Sequence, residues 1–175
     1  MVRTFWLLSI GIVIVFIPSC AWKEKPGLRI VREFRLTSVG ENRDVSWSPD
    51  GRKLAFSSDR GGHYDIWVVE APQDTGWSPE DLNLRNLTRD RAFDRYPVWS
   101  PDGRWIAYVS THGDSTEIWA VPSEGGEPRR VTYDGDYKNG LICWSPDGRF
   151  IAFGRMREGE ETDICLLYTS PIPRD

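Results

Sequence analysis

The chain has 175 residues and a formal net charge of −4, with 22 Lys and Arg against 26 Asp and Glu. That slight acidic excess, with no basic patch, leaves no electrostatic footprint for nucleic acid. Cys20, Cys143 and Cys165 stand in unlike contexts and give no disulfide framework.

Residues 1–20, MVRTFWLLSIGIVIVFIPSC, set Arg3 before an acid-free apolar run from Phe5 to Ile17. This is the pattern of a secretory signal, and the run is too short for a comfortable membrane-spanning helix. The segment Ile17-Pro18-Ser19-Cys20 resembles a bacterial lipoprotein signal, although Pro18 departs from it. The resemblance implies lipidation of Cys20 at a new N-terminus. Several acyl chains would then hold a soluble domain on a membrane, where one is marginal. Ala21 is not the aspartate that retains such proteins at the inner membrane of enteric bacteria, so the outer membrane is the expected destination.

Residues 29–37 end in FRLT (34–37), a form that returns as RNLT (85–88) and RRVT (129–132). Thr37, Thr88 and Thr132 stand 10, 11 and 12 residues before the next repeat Trp. Residues 29–37 are therefore expected to form the outer strand of a blade whose other strands come later, as in circular closure.

The sequence WSPDG then occurs three times, as Trp47–Gly51, Trp99–Gly103 and Trp144–Gly148, with the tryptophans 52 and 45 residues apart. A repeat of that length specifies a modular architecture. Pro49, Pro101 and Pro146 pre-set the first central position of a β-turn. Asp50, Asp102 and Asp147 can accept hydrogen bonds from local amides, and Gly51, Gly103 and Gly148 can take positive φ. Trp47, Trp99 and Trp144 are expected to be buried between stacked sheets.

After each turn comes an apolar strand, at 52–59, 104–111 and 149–156, and then a strand opened by an acid-Ile pair, Asp65-Ile66, Glu117-Ile118 and Asp163-Ile164. With the RNLT and RRVT elements these give four-stranded antiparallel blades, with no long amphipathic helix. Residues 71–84 are extra in the first unit. There Ser78-Pro79-Glu80-Asp81 predicts a loop or one helical turn on the rim.

The last eleven residues, CLLYTSPIPRD (165–175), put Cys165 where Trp67 and Trp119 stand in the earlier units. Pro171 and Pro173 forbid a central strand. The string resembles a translated transposon-based sequencing adapter, so the native reading is expected to end at Ile164, mid-blade. Cys143, within LICW, reads as a small buried hydrophobe.

Taken together, PVWSPDG (97–103), WIAYVS (105–110), EIWAV (117–121) and EGGEPRRVT (124–132) resemble the WD40-like propeller repeat of the TolB-like, or PD40, family. SWSPDG, LAFSSDRGG and DIWVV repeat the match in the first unit, and CWSPDG and FIAF in the third. The resemblance covers 28–164. It implies an all-β partial β-propeller of about two and a half blades, part of a six- to eight-bladed ring. It also implies an exported, periplasmic or envelope protein that acts by protein contact. TolB itself has an α/β domain before its propeller, and the few residues after Cys20 leave no room for one.

No GxSxG, HExxH, Cys–His pairing or phosphate loop is present, so no catalytic, cofactor or metal residue is assigned. His63 and His112 read as exposed turn residues. Asp59 and Arg60 read as a turn cap or a tie to a neighbouring blade. Asp90, Asp94, Asp114, Asp134 and Asp136 lie in loops without the spacing of a calcium motif. The expected function is a non-catalytic, lipid-anchored envelope scaffold that binds another envelope protein, a peptide or a glycan. The alternative is the propeller domain of an exported prolyl-oligopeptidase-like or tricorn-like serine peptidase, and a third reading is a sugar-polymer lyase built on the propeller itself.

Overall fold

The computed structural model describes residues 35–72, 82–134, 137–156 and 161–169, with side chains of 137–141 set aside. The signal and Cys20, residues 28–34, the helix start at 78–81, Asp136 and residues 170–175 lie outside the described residues.

Among the described residues eleven strands form three antiparallel sheets. The first holds β1 (Asn42–Trp47), β2 (Lys53–Ser58), β3 (Asp65–Glu70) and β4 (Arg85–Asn86). The second holds β5 (Phe93–Trp99), β6 (Trp105–His112), β7 (Ser115–Pro122) and β8 (Arg129–Arg130). The third holds β9 (Tyr137–Trp144), β10 (Phe150–Met156) and β11 (Asp163–Tyr168). Each sheet is a meander in chain order. β1, β5 and β9 are successive neighbours, so they form the inner edge of an open, unclosed propeller arc.

The Ser-Pro-Asp-Gly turn is built identically three times. Gly51, Gly103 and Gly148 have φ of 69°, 72° and 71°, and each donates its N–H to the carbonyl of the turn Ser at 2.9 Å. The Ser hydroxyl donates to the Asp carboxylate at 2.6 Å in all three, and the same oxygen accepts the amide of Arg52, Arg104 or Arg149. The turn aspartates are local caps, and their carboxylates all sit below the usual range. For Asp50 and Asp147 the Ser hydroxyl is the main cause. For Asp102 burial opposes the shift, and the Ser100 hydroxyl and Arg104 amide outweigh it.

The sheets stack face to face. Ala55, Ile66, Val68 and Leu87 of the first unit meet Trp99, Ile106, Tyr108 and Val121 of the second. Ala107, Val109 and Ile118 on the other face of the second sheet meet Ile142, Ile151 and Phe153 of the third. Trp99 is therefore buried, as expected, and Trp144 only half-buried. Trp47 is 57% exposed, because no described sheet lies against its face.

Three further expectations are corrected. β4 and β8 are only two residues long: beyond them the hydroxyls of Thr88 and Thr132 take the amides of Ile66 and Ile118, at 3.1 and 3.0 Å, which ends the ladder. Strand pairing continues past Ile164 to Tyr168, with Cys165 opposite Phe153 and Leu167 against the core. Cys143 is exposed, because strand alternation turns Ile142 to the core and Cys143 away from it.

Candidate binding surface

The inner strands β1 and β5 each carry a bulge, between Arg43 and Ser46 and between Arg95 and Val98. Asp44 and Tyr96, each three residues before its repeat Trp, adopt left-handed φ of 54° and 57° there. Such backbone costs about 1 kcal/mol or more per non-Gly residue, and it collects where side chains must be re-aimed.

The result is a tie between sheets. The guanidinium of Arg95 donates to Asp44 through Nε at 2.9 Å and Nη2 at 3.3 Å, and the Ser57 hydroxyl donates to the same carboxylate at 2.7 Å. The Arg95 charge also lies 4.6 Å from the ring centre of Tyr96, 5.7 Å from Tyr64 and 5.9 Å from Phe93. The rings of Tyr64 and Phe93 are 4.7 Å apart. The Tyr64 hydroxyl donates to Glu41, whose carboxylate also takes Arg43. These contacts hold Glu41 below the usual carboxylate range, the Tyr64 bond first, and push Tyr64 up. The Asp44 carboxylate raises Arg95 further.

Arginine fixed among aromatic rings, with Phe93 46% exposed, is the composition of a protein-contact hot spot. The turn residues Trp47–Gly51, Trp99–Gly103 and Trp144–Gly148 lie on the connections between first and second strands, where they serve the scaffold. Sequence reasoning missed Glu41, Asp44, Tyr64, Phe93, Arg95 and Tyr96. The inner strands NRDVSW and FDRYPVW are polar and irregular, and the only cue in them is an Asp or Arg just ahead of the bulge.

His63 and His112 are exposed, as expected, but only His63 stands in a turn: His112 ends β6, paired with Ser115. Arg60 and Asp59 do tie the turn: Arg60 donates to Thr37, Asn42 and the Val39 carbonyl, and Asp59 accepts the Glu41 amide at 2.6 Å. The acids do not all stand apart. Carboxylate oxygens of Asp65, Asp90 and Asp94 lie within 4.8 Å of one another, and Asp134 faces Arg155 at 3.8 Å. Among the described residues no helix is long and apolar enough to cross a membrane.

Residues 37–170 match the family model described as PD40, TolB beta propeller domain. The Tol-Pal system protein TolB of Anaeromyxobacter dehalogenans is 38% identical over 90 residues, which is 51% of this chain and 18% of that protein. The uncharacterized peptidase YuxL of Bacillus subtilis is 31% identical over 104 residues, 55% of this chain and 15% of that one. The chain thus spans less than a fifth of the length of these curated relatives. The solved structure of a TolB described as putative, from Agrobacterium tumefaciens, superposes with a TM-score of 0.65 at 24% identity, over 76% of this chain and 47% of that one, a likeness of fold.

Proposed function

The chain belongs to the TolB beta propeller domain family, and from that premise we propose that it is a non-catalytic scaffold that docks an envelope protein on the Arg95 cluster. The observation that carries this reading is the fixed cation among Tyr64, Phe93 and Tyr96 on the inner edge of two blades. Binding energy concentrates in such pre-ordered Arg and aromatic groups, because little side-chain entropy remains to be lost. A glycan is the second ligand class, stacking on the same rings. The protein is exported and tethered through acylated Cys20 on the extracytoplasmic side.

The experiment is site-specific photo-crosslinking in the native host, with a benzophenone side chain at position 93 and, as a control, at position 127 on the opposite connections. One discrete protein adduct at 93, lost in Arg95→Ala and absent at 127, is expected. No adduct at 93, or equal adducts at both positions, ends the reading. Labelled palmitate should enter the full-length protein and be lost in Cys20→Ala; absence of label removes the anchor and leaves the docking reading intact.

The likeness to a peptidase over 104 residues favours one second reading, a propeller that gates an attached serine hydrolase domain. Labelling of the full-length gene product by a fluorophosphonate probe separates the two: a labelled serine supports the gate and its absence supports the scaffold.

A further inference from the structure

We propose that the junction between the first and second sheets binds a hard divalent cation of calcium's size through the carboxylates of Asp65, Asp90 and Asp94. At its other junctions the repeat supplies a cation of its own. Arg60, 13 residues after Trp47, sends its guanidinium to Thr37 Oγ1 at 2.6 Å, Asn42 Oδ1 at 2.7 Å and Ser58 Oγ at 3.1 Å. Counted from Trp99, the residues in the places of Asn42, Ser58 and Arg60 are Asp94, Ser110 and His112. A neutral amide has become an acid, and the guanidinium has become an imidazole that meets Ser110 at 3.1 Å and packs on the Trp119 ring, 5.4 Å between centroids.

The acid that opens the third strand changes partner in the same way. Glu117 is held by Arg130 at 2.7 Å, and Arg130 sits opposite Trp119 in the ladder. The residue opposite the equivalent Trp67 is Asn86, which gives Asp65 an amide at 2.6 Å and no charge. Next along the arc, Arg155 faces Asp134 at 3.8 Å. Where its neighbours carry built-in cations, the middle junction gathers three carboxylates, and among the described residues no Lys or Arg forms an ion pair with any of them.

The cluster also holds an orphaned oxygen. Asp94 has 0% of its surface exposed; Ser110 donates to Oδ1 at 2.5 Å, and Oδ2 is buried without a hydrogen-bond partner. The Thr88 hydroxyl lies near both buried acids and donates to Asp65 Oδ1 at 3.4 Å. Calcium takes oxygen ligands at about 2.3–2.6 Å, so two ligands on opposite sides of it are about 4.6–5.2 Å apart, the reach of this cluster. Asp90 is exposed, and with Asp65, His63 and Arg89 it lines a cavity of about 340 Å³ that opens the cluster to water. An all-oxygen set selects calcium or magnesium over zinc or copper.

The test uses the full chain, stripped with chelator and titrated with CaCl₂ by calorimetry, with NaCl at matched ionic strength as control. Terbium luminescence excited through Trp67, which lines the same cavity, gives an independent readout. One saturable site and a melting temperature raised by several degrees are expected. Asp90→Asn should weaken the affinity at least tenfold, Asp94→Asn should abolish binding, and Asp114→Asn should leave it unchanged. Asp94→Asn reproduces Asn42 of the first unit; if it does not fold, the exposed Asp90→Asn decides. No saturable binding by the folded protein, or affinity unchanged in Asp90→Asn, overturns the proposal.

Discussion

The indole N–H of Trp99 donates to the main-chain carbonyl of Ser46 in the neighbouring sheet, 3.2 Å away. The same residue type at the same repeat position, Trp47, is 57% exposed against 8% for Trp99. Truncating a buried Trp removes both its transfer energy and its packing, about 3–5 kcal/mol, whereas an exposed site costs about 0.5 kcal/mol. Trp99→Ala should therefore lower the urea midpoint strongly and Trp47→Ala hardly at all. Equal losses would contradict the stacking of successive sheets through Trp99.

The repeated turns predict acid sensitivity. Hydrogen bonds hold Asp50, Asp102 and Asp147 below their ordinary pKa in the folded protein. A carboxylate depressed by folding contributes stability that is present above its unfolded value, about 4, and is lost as pH falls through its folded value. The triple variant Asp50→Asn, Asp102→Asn, Asp147→Asn should melt lower than the parent at pH 7, and the gap should narrow toward pH 3. A gap that stays constant with pH would mean that the charge of these carboxylates contributes nothing.

The scaffold was legible because its constraints are local. WSPDG needs a proline φ, a short acceptor and a left-handed glycine within five residues, and the acid-Ile pairs and the threonines of FRLT, RNLT and RRVT fall at nearly constant distances from it. The inner strands were not legible in the same way. Asp44 and Tyr96 take a left-handed conformation that neither residue demands, and the partner of Asp44 is Arg95, 51 residues away. Cys143 misled for a related reason: LICW is apolar throughout, and only the pairing of β9 with β10 decides which side chains face the second sheet. Asp65 and Asp94 meet through the stacking of two sheets, which no sequence spacing records.

Gly40 tests the clasp made by Arg60. Its φ is +70°, and an added Cβ would lie 2.7 Å from Asp59 Oδ1 and 2.9 Å from the Arg60 amide nitrogen. Gly40→Ala must displace the turn that aims the guanidinium at Thr37 and Asn42. A loss of about 2 kcal/mol or more is expected from strain and the broken contacts together. Because both changes damage one unit, Gly40→Ala with Arg60→Ala should cost clearly less than the sum of the singles in denaturant unfolding. Additive losses would show that Gly40 and Arg60 act separately.

Among the described residues three ion pairs join the first two sheets, and burial separates their expected worth. In the Arg95–Asp44 pair the side chains are 19% and 17% exposed, and the contact is bidentate and backed by Ser57. Glu124, which reaches Lys53 and Arg85, is 69% exposed. Asn accepts the left-handed backbone of Asp44 nearly as well as Asp does, so Asp44→Asn removes the charge without adding strain. It should cost about 2 kcal/mol, since a partly buried guanidinium loses its anion, while Glu124→Ala should stay within about 0.5 kcal/mol. Raising the salt to molar strength should erase the Glu124 effect and leave most of the Asp44 effect, because only the exposed pair is screened. If the Asp44→Asn loss vanished in salt as well, the tie between β1 and β5 would be a surface contact, and the inner edge would not be held rigid for a partner.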